Sequence, residues 1–103
     1  MLDNLFGNME EKQEAMRQKL AGIPIQAEVS GGAVRVSGNA TREITEIKID
    51  REKLDWDDAE QVEDLVLVAV NEFMERAAGV EAQESQRLIQ DMLPPGMAGM
   101  FGG

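Results

Sequence analysis

The chain has 103 residues, of which 20 are acidic and 10 basic, for a net charge of −10, and it contains neither cysteine nor histidine. This length fits one modest domain, and the two missing residue types exclude disulfides, thiolate chemistry and the commonest general base and metal ligand. The longest apolar run, Leu65 to Val70, is too short for a membrane span of about 20 residues, and the N-terminus lacks a signal-peptide pattern. We therefore expect a soluble, cytoplasmic protein that does not enter a membrane.

The negative charge is concentrated in the second half of the chain. Residues 54–103 hold eleven acidic side chains against only Arg76 and Arg87, whereas acids and bases balance in residues 25–53. Acidic surface favours solubility and repels polyanions. Charge alone therefore argues against a nucleic-acid partner.

The first predicted element is a helix that begins at Asn8, which has capping-box spacing with Glu11. Gly22 and Pro24 predict its end, because glycine favours the position after a helix and proline cannot continue one. The apolar residues before Asn8 either extend the helix or fray, and the pattern leaves both readings open. One apolar face is expected along the helix, formed by Met9, Met16, Leu20 and Ile23.

Alternation of apolar and polar residues then predicts three antiparallel strands. The first runs from Ile25 to Val29, the second starts at Val34, and the third contains Ile47 and Ile49. Ser30-Gly31-Gly32 predicts the turn between the first two. Ile44 is out of phase with the third strand, which indicates either a β-bulge or a strand that begins after Ile44.

The turn between the second and third strands is ambiguous. Gly38-Asn39 has the composition of a tight hairpin turn, and the polar run 41–43 is an equally good candidate. We favour the later turn, which places Gly38 inside a longer second strand.

The last predicted element is a helix over residues 59–92, where apolar side chains recur at helical spacing. Asp57 and Glu60 form a second capping box, and Gly79 leaves a break in the helix open. An unbroken helix of this length would extend about 50 Å, whereas a compact chain of this size has a radius of gyration of about 13 Å. The helix must therefore project from the domain or be buried by another molecule.

The sequence thus predicts an α+β fold, an α-β-β-β-α subunit with a three-stranded antiparallel sheet and two flanking helices. Residues 1–93 form a single domain, and residues 94–103 form a flexible tail rich in proline, glycine and methionine, introduced by Pro94-Pro95-Gly96. Because a small open sheet leaves strand edges unpaired, a symmetric homodimer is expected.

The sequence offers few residues for catalysis or metal binding. The acidic cluster from Asp55 to Glu60 lacks the glycine and glutamate that a calcium loop needs at its sixth and twelfth positions. Helix capping and solvated surface charge explain it better. Without histidine, a phosphate-binding loop or an activated nucleophile, we expect no enzyme activity, no metal site and no cofactor.

Several segments in fixed order resemble the YbaB/EbfC family of nucleoid-associated proteins over nearly the whole chain. These segments are Leu5-Phe6-Gly7-Asn8-Met9, Val34-Arg35-Val36-Ser37-Gly38-Asn39, Ile44 to Asp50, Val62-Glu63-Asp64-Leu65-Val66 with Ala69-Val70-Asn71-Glu72, and Leu93-Pro94-Pro95-Gly96-Met97. The resemblance implies a homodimer with protruding helices, a cytoplasmic, nucleoid-associated setting, DNA binding with little sequence preference and no enzymatic activity.

The resemblance also directs attention to the basic residues of the two helices. DNA affinity comes largely from neutralising phosphates, so contact is expected through Lys12, Arg17 and Lys19 of the first helix, with Arg76 and Arg87 of the last helix as second candidates. No residue stands out as a reader of base edges. Because the last helix is strongly acidic, the alternative is an interaction protein of the same fold that engages protein partners and binds little DNA.

Overall fold

The computed structural model describes residues 2–92, with side chains from residue 7 onward. Two helices flank three strands, and short 3₁₀ turns over Ser30–Gly32 and Arg51–Lys53 connect them. The predicted α-β-β-β-α order is therefore confirmed. The predicted tail and its Pro94-Pro95-Gly96 introduction lie outside the described residues. The elements are α1 (Leu2–Ala21), β1 (Pro24–Val29), β2 (Val34–Asn39), β3 (Ile44–Ile49) and α2 (Ala59–Met92).

Helix α1 starts six residues earlier than the predicted cap. It runs unbroken from Leu2 through Asn8, so the assignment of Asn8 as the N-cap is wrong. A cap-type side chain contributes only about 1 kcal/mol, too little to stop a helix that already continues on both sides. The predicted end is confirmed, because the backbone N–H of Gly22 donates to the carbonyl of Lys19 at 3.1 Å as the helix closes.

The sheet has the order β1-β2-β3, and both strand pairs are antiparallel. Ala27 on β1 lies opposite Val36 on β2, which in turn lies opposite Ile47 on β3, so these apolar residues share one face, the inner face. The β1–β2 turn uses Gly31 and Gly32 with φ of 66° and 92°, a left-handed conformation that residues with a Cβ rarely adopt. The predicted first hairpin, with its turn at Ser30-Gly31-Gly32, is therefore confirmed.

A bulge marks the junction of β2 and β3. Ser37 pairs with Glu46 and Gly38 pairs with Ile44, which leaves Thr45 as the extra residue. Of the two readings of the out-of-phase Ile44, the bulge is confirmed, and so is the later turn that places Gly38 within β2. A side chain at position 38 would overlap the carbonyl oxygen of Glu43, the residue directly before β3.

The core lies between the inner face of the sheet and the middle of α2, which packs over β1 and β2. Phe73 is fully buried there, together with Val34 and Val36 beneath it. Leu20 at the end of α1 closes one side of this core, while Met9 near the other end is 48% exposed. The apolar face predicted for α1 is therefore buried only toward its C-terminal end.

Helix α2 is continuous through Gly79. Its cap is Asp58, whose side chain accepts from the backbone N–H of Gln61 at 3.2 Å, so the predicted cap at Asp57 is wrong by one residue. The radius of gyration is 19.0 Å and the longest dimension is 63 Å, well beyond a compact chain of this length. The projecting long helix is thus confirmed.

Candidate nucleic-acid interface

A groove of about 180 Å³ separates α1 from the C-terminal part of α2. Its floor is apolar, and its rim carries charged side chains from both helices. We call this feature the interhelical groove. Helix α1 contributes Lys12, Ala15, Met16 and Lys19, and helix α2 contributes Glu84, Arg87, Leu88 and Asp91.

Glu84 links the two walls of the interhelical groove. One carboxylate oxygen, Oε2, lies 2.6 Å from Nζ of Lys19 on α1, and the other, Oε1, lies 3.3 Å from a guanidinium nitrogen of Arg87 on α2. The side chain is only 8–9% exposed. Carboxylates are rarely buried to this degree unless they are paired with a cation, as Glu84 is. The hydrogen bond from Lys19, helped by the charges of Lys19 and Arg87, lowers the pKa of Glu84 despite its burial.

The interhelical groove contains three of the five residues predicted to contact DNA. Lys12 and Lys19 approach it from α1, and Arg87 approaches it from α2, so residues distant in sequence meet at one surface. Among the ion pairs of the described residues, none involves Lys12. Three cations thus face two carboxylates, and the interhelical groove carries a small positive excess on an acidic protein.

The other two predicted residues lie elsewhere. Arg17 lines a separate depression beside Thr41 and is 3.5 Å from Glu14 on its own helix. Arg76 donates to the backbone carbonyl of Gln26 at 2.7 Å and to the carboxylate of Glu72 at the same distance, so it ties α2 to strand β1. The structure therefore divides the predicted site into a clustered part and two outlying cations.

Most basic side chains of this protein already have a carboxylate partner. Eight of the ten lie within 4 Å of one, and in the described residues only Lys12 and Arg51 do not. Arg51 stacks on the ring of Trp56, with its guanidinium carbon 4.5 Å from the ring centre. Trp56 itself remains 46% exposed.

Sequence reasoning missed two features of the charged surface. Glu84 was not singled out, although its spacing of three residues from Arg87 on a helix is readable from the sequence. Its contact with Lys19, 65 positions away, has no local signal. Likewise, Arg35 and Lys48 lie on different strands, and only the register shows that they are directly opposite each other.

The fold and its paired helices can be compared with known proteins. The model of the YbaB/EbfC DNA-binding family matches residues 1–92. The chain belongs to the YbaB/EbfC family. The predicted family resemblance is thereby confirmed over almost the entire chain.

Curated proteins named as nucleoid-associated proteins are similar to this chain along most of its length. A nucleoid-associated protein of Pelotomaculum thermopropionicum is 34% identical over 89 residues, which cover 86% of this chain and 85% of that protein. The nucleoid-associated protein THEYE_A1069 of Thermodesulfovibrio yellowstonii is 43% identical over 75 residues, or 73% of this chain and 66% of that one.

A solved structure shows the same fold. The crystal structure of uncharacterized protein HP0035 from Helicobacter pylori superposes with a TM-score of 0.74 over 85% of this chain and 92% of that chain, at 20% identity. This likeness supports the α-β-β-β-α architecture and nothing finer. Within residues 2–92, no helix is long and apolar enough to cross a membrane.

Proposed function

We propose that this YbaB/EbfC protein binds duplex DNA weakly and with little sequence preference, as a homodimer associated with the nucleoid. The observation that carries the proposal is the interhelical groove, where Lys12, Lys19 and Arg87 come together on a chain of net charge −10. Lysine and arginine contacts to phosphate position a protein on DNA without reading its sequence. The names of its curated relatives, nucleoid-associated proteins, support the same assignment.

Low affinity follows from the charge balance of the interhelical groove. Glu84 and Asp91 offset two of its three cations, and Lys19 and Arg87 must share or leave Glu84 to reach a phosphate. Each phosphate neutralised contributes about −0.9 to the slope of log K against log salt. With three cations per protomer and part of their charge already compensated, we expect a slope no steeper than about −5 for a dimer.

The homodimer is supported by apolar surface that one subunit leaves uncovered. Ile47 shares the inner face of the sheet with Val36, yet it is 44% exposed because α2 packs over β1 and β2. On α2 itself, Leu67 and Val68 are more than half exposed. Strand β3 is also an unpaired sheet edge, which natural proteins usually cover. A second copy that covers these residues would account for all three features.

A DNA titration at two salt concentrations tests the function. A duplex of about 30 base pairs, measured by fluorescence anisotropy at 50 and 150 mM salt, should show binding that weakens at the higher salt. Lys12→Gln should weaken it further, whereas the control Arg17→Gln removes the same charge from the same helix outside the interhelical groove and should have a smaller effect. Equal effects of the two variants would contradict the placement of the contact in the interhelical groove.

The alternative function is that of an acidic interaction protein of the same fold. The pairing of eight of the ten basic side chains with carboxylates favours it, because few cations are immediately available to a polyanion. No DNA binding by the wild-type protein at 50 mM salt would support this alternative and refute the first proposal.

A further inference from the structure

A second group of cations lies at the end of the sheet where β3 leads into the connection to α2. It surrounds a depression of about 450 Å³ at the junction of the sheet and the connection to α2. We call it the sheet-end patch. Its four basic residues are Arg35, Lys48, Arg51 and Lys53, and two carboxylates, Asp50 and Glu52, line the same depression. It has one more basic side chain than the interhelical groove.

The sheet-end patch includes two like charges in direct opposition. Arg35 on β2 and Lys48 on β3 are cross-strand partners, an arrangement that destabilises a sheet when the charges are not compensated. Glu28 on β1 satisfies Arg35 at 2.9 Å, but the carboxylate nearest to Lys48, that of Glu46, is 3.9 Å away. The Lys48 side chain is 67% exposed. An anion placed over this pair would relieve the repulsion.

Two further contacts hold the remaining cations of the sheet-end patch in place. The Arg51 guanidinium stacks on the ring of Trp56. Because this contact already restrains the Arg51 side chain, less conformational entropy is lost when it binds an anion. The Lys53 amine donates to the carbonyl of Gly31 at 2.9 Å and lies 3.9 Å from Asp50. Lys48 and Arg51 are therefore the two cations that remain most available to an external anion.

We propose that the sheet-end patch is a second contact for the phosphate backbone of DNA, centred on Lys48 and Arg51. Guanidinium and ammonium groups are the side chains that bind phosphate oxygens, and an exposed pair of them on a net acidic protein is unlike the balanced surface around it. The patch lies at the end of the sheet where Val34 pairs with Ile49, whereas the interhelical groove lies beside the C-terminal end of α1, where the carbonyl of Leu20 accepts from the Ala40 N–H that follows β2. The two contacts would thus engage separate stretches of DNA backbone.

The inference rests on the proposed DNA binding, and Lys48→Gln tests it separately. This variant removes one charge at an exposed position and should weaken binding of the 30-base-pair duplex about two- to fivefold, with a salt slope less steep by about 1 per protomer. Lys48→Glu should weaken it further. The matched control is Arg42→Gln, which removes one charge from a cation paired with Glu81 at 3.0 Å, outside the sheet-end patch and the interhelical groove.

The outcomes distinguish the two proposals. If wild type binds DNA and Lys12→Gln weakens it, but Lys48→Gln behaves like Arg42→Gln, only the sheet-end patch is refuted. If Lys48→Gln alone weakens binding, the patch stands and the interhelical groove is refuted as the main contact. If Lys48→Glu instead changes the sedimentation of the protein without changing DNA affinity, the patch docks an acidic surface of a second copy and the inference is overturned.

Discussion

Replacing Gly38 with alanine should destabilise the fold more than the same replacement at any other glycine in residues 7–92. The new Cβ would overlap the carbonyl oxygen of Glu43 and lie 2.8 Å from Cζ of the buried Phe73 ring. Neither neighbour yields easily, because one is a backbone carbonyl that accepts from the Asn39 N–H and the other is the largest fully buried side chain. Strands β2 and β3 would have to separate at the bulge.

The expected cost can be built from two parts. Forcing extra volume into a packed core costs about 1–3 kcal/mol. Separating the strands also lengthens the hydrogen bond from the Asn39 N–H to the Glu43 carbonyl, now 3.0 Å, with a net loss of about 1 kcal/mol. We therefore expect Gly38→Ala to lower the free energy of unfolding by about 3 kcal/mol and the midpoint of thermal unfolding by about 12–24 °C.

The matched control is Gly79→Ala. Gly79 lies in the interior of α2 with open space where its Cβ would be, so alanine should stabilise the protein by about 0.5–1 kcal/mol. Thermal unfolding followed by circular dichroism, at equal protomer concentration for all three proteins, measures both effects. A Gly38→Ala protein as stable as wild type would show that the bulge opens freely and would refute the reasoning.

Three further predictions concern the core, Glu84 and self-association. Phe73→Ala should cost about 3–5 kcal/mol, because it empties the centre of a fully buried cluster, and urea unfolding measures this; a loss below 1 kcal/mol would contradict the assigned core. Glu84 has a folded-state pKa below its ordinary value of 4.5, so the stability it provides is complete above pH 4.5 and is lost as the pH falls through the lower folded-state pKa. Thermal midpoints of wild type and Glu84→Gln should accordingly differ at pH 7 and converge in acid. A difference that grows in acid would show that folding raises the pKa of Glu84 instead of lowering it. Ile47→Lys should weaken dimerisation in sedimentation equilibrium, since it adds charge to exposed apolar surface, while Thr45→Lys on the bulge serves as the control; an unchanged dimer would exclude the inner face of β3 from the interface.

The strand region could be predicted well because its signals are local. The break in alternation at Ile44 is a direct consequence of one extra residue, and the bulge at Thr45 supplies it. The position of Gly38 inside β2 was also readable, since the later turn keeps the alternation of the second strand intact. The reason for a glycine there was not readable, because Phe73 approaches it from another part of the chain.

Helix starts were predicted less well, since several residue types can cap a helix and their preferences are weak. Asn8 lies inside α1, and Asp58 rather than its neighbour Asp57 caps α2. At Asn8 the helical segment continues on both sides of the candidate cap, whereas before α2 two adjacent aspartates have equal preference as caps and the hydrogen bond forms at Asp58.

The candidate site depended on tertiary structure. The sequence identified the cations of the two helices, but it could not show which of them share a surface. Lys19 and Glu84 meet because α1 and α2 converge beyond the edge of the core, and that convergence is set by the packing of Leu20 and Ala77 against the sheet. The same packing leaves Arg17 and Arg76 outside the interhelical groove.

Helix α2 is anchored unevenly along its length. Its fully buried apolar residues, Ala69, Phe73 and Ala77, all lie in one central stretch of nine residues, and exposed side chains predominate near Ala59 and Met92. Amide hydrogens should exchange slowest in this central stretch and progressively faster toward each end. One continuous helix would thus be rigid above the sheet and compliant where Arg87 is attached, which lets that guanidinium adjust to an irregular ligand while the core stays fixed.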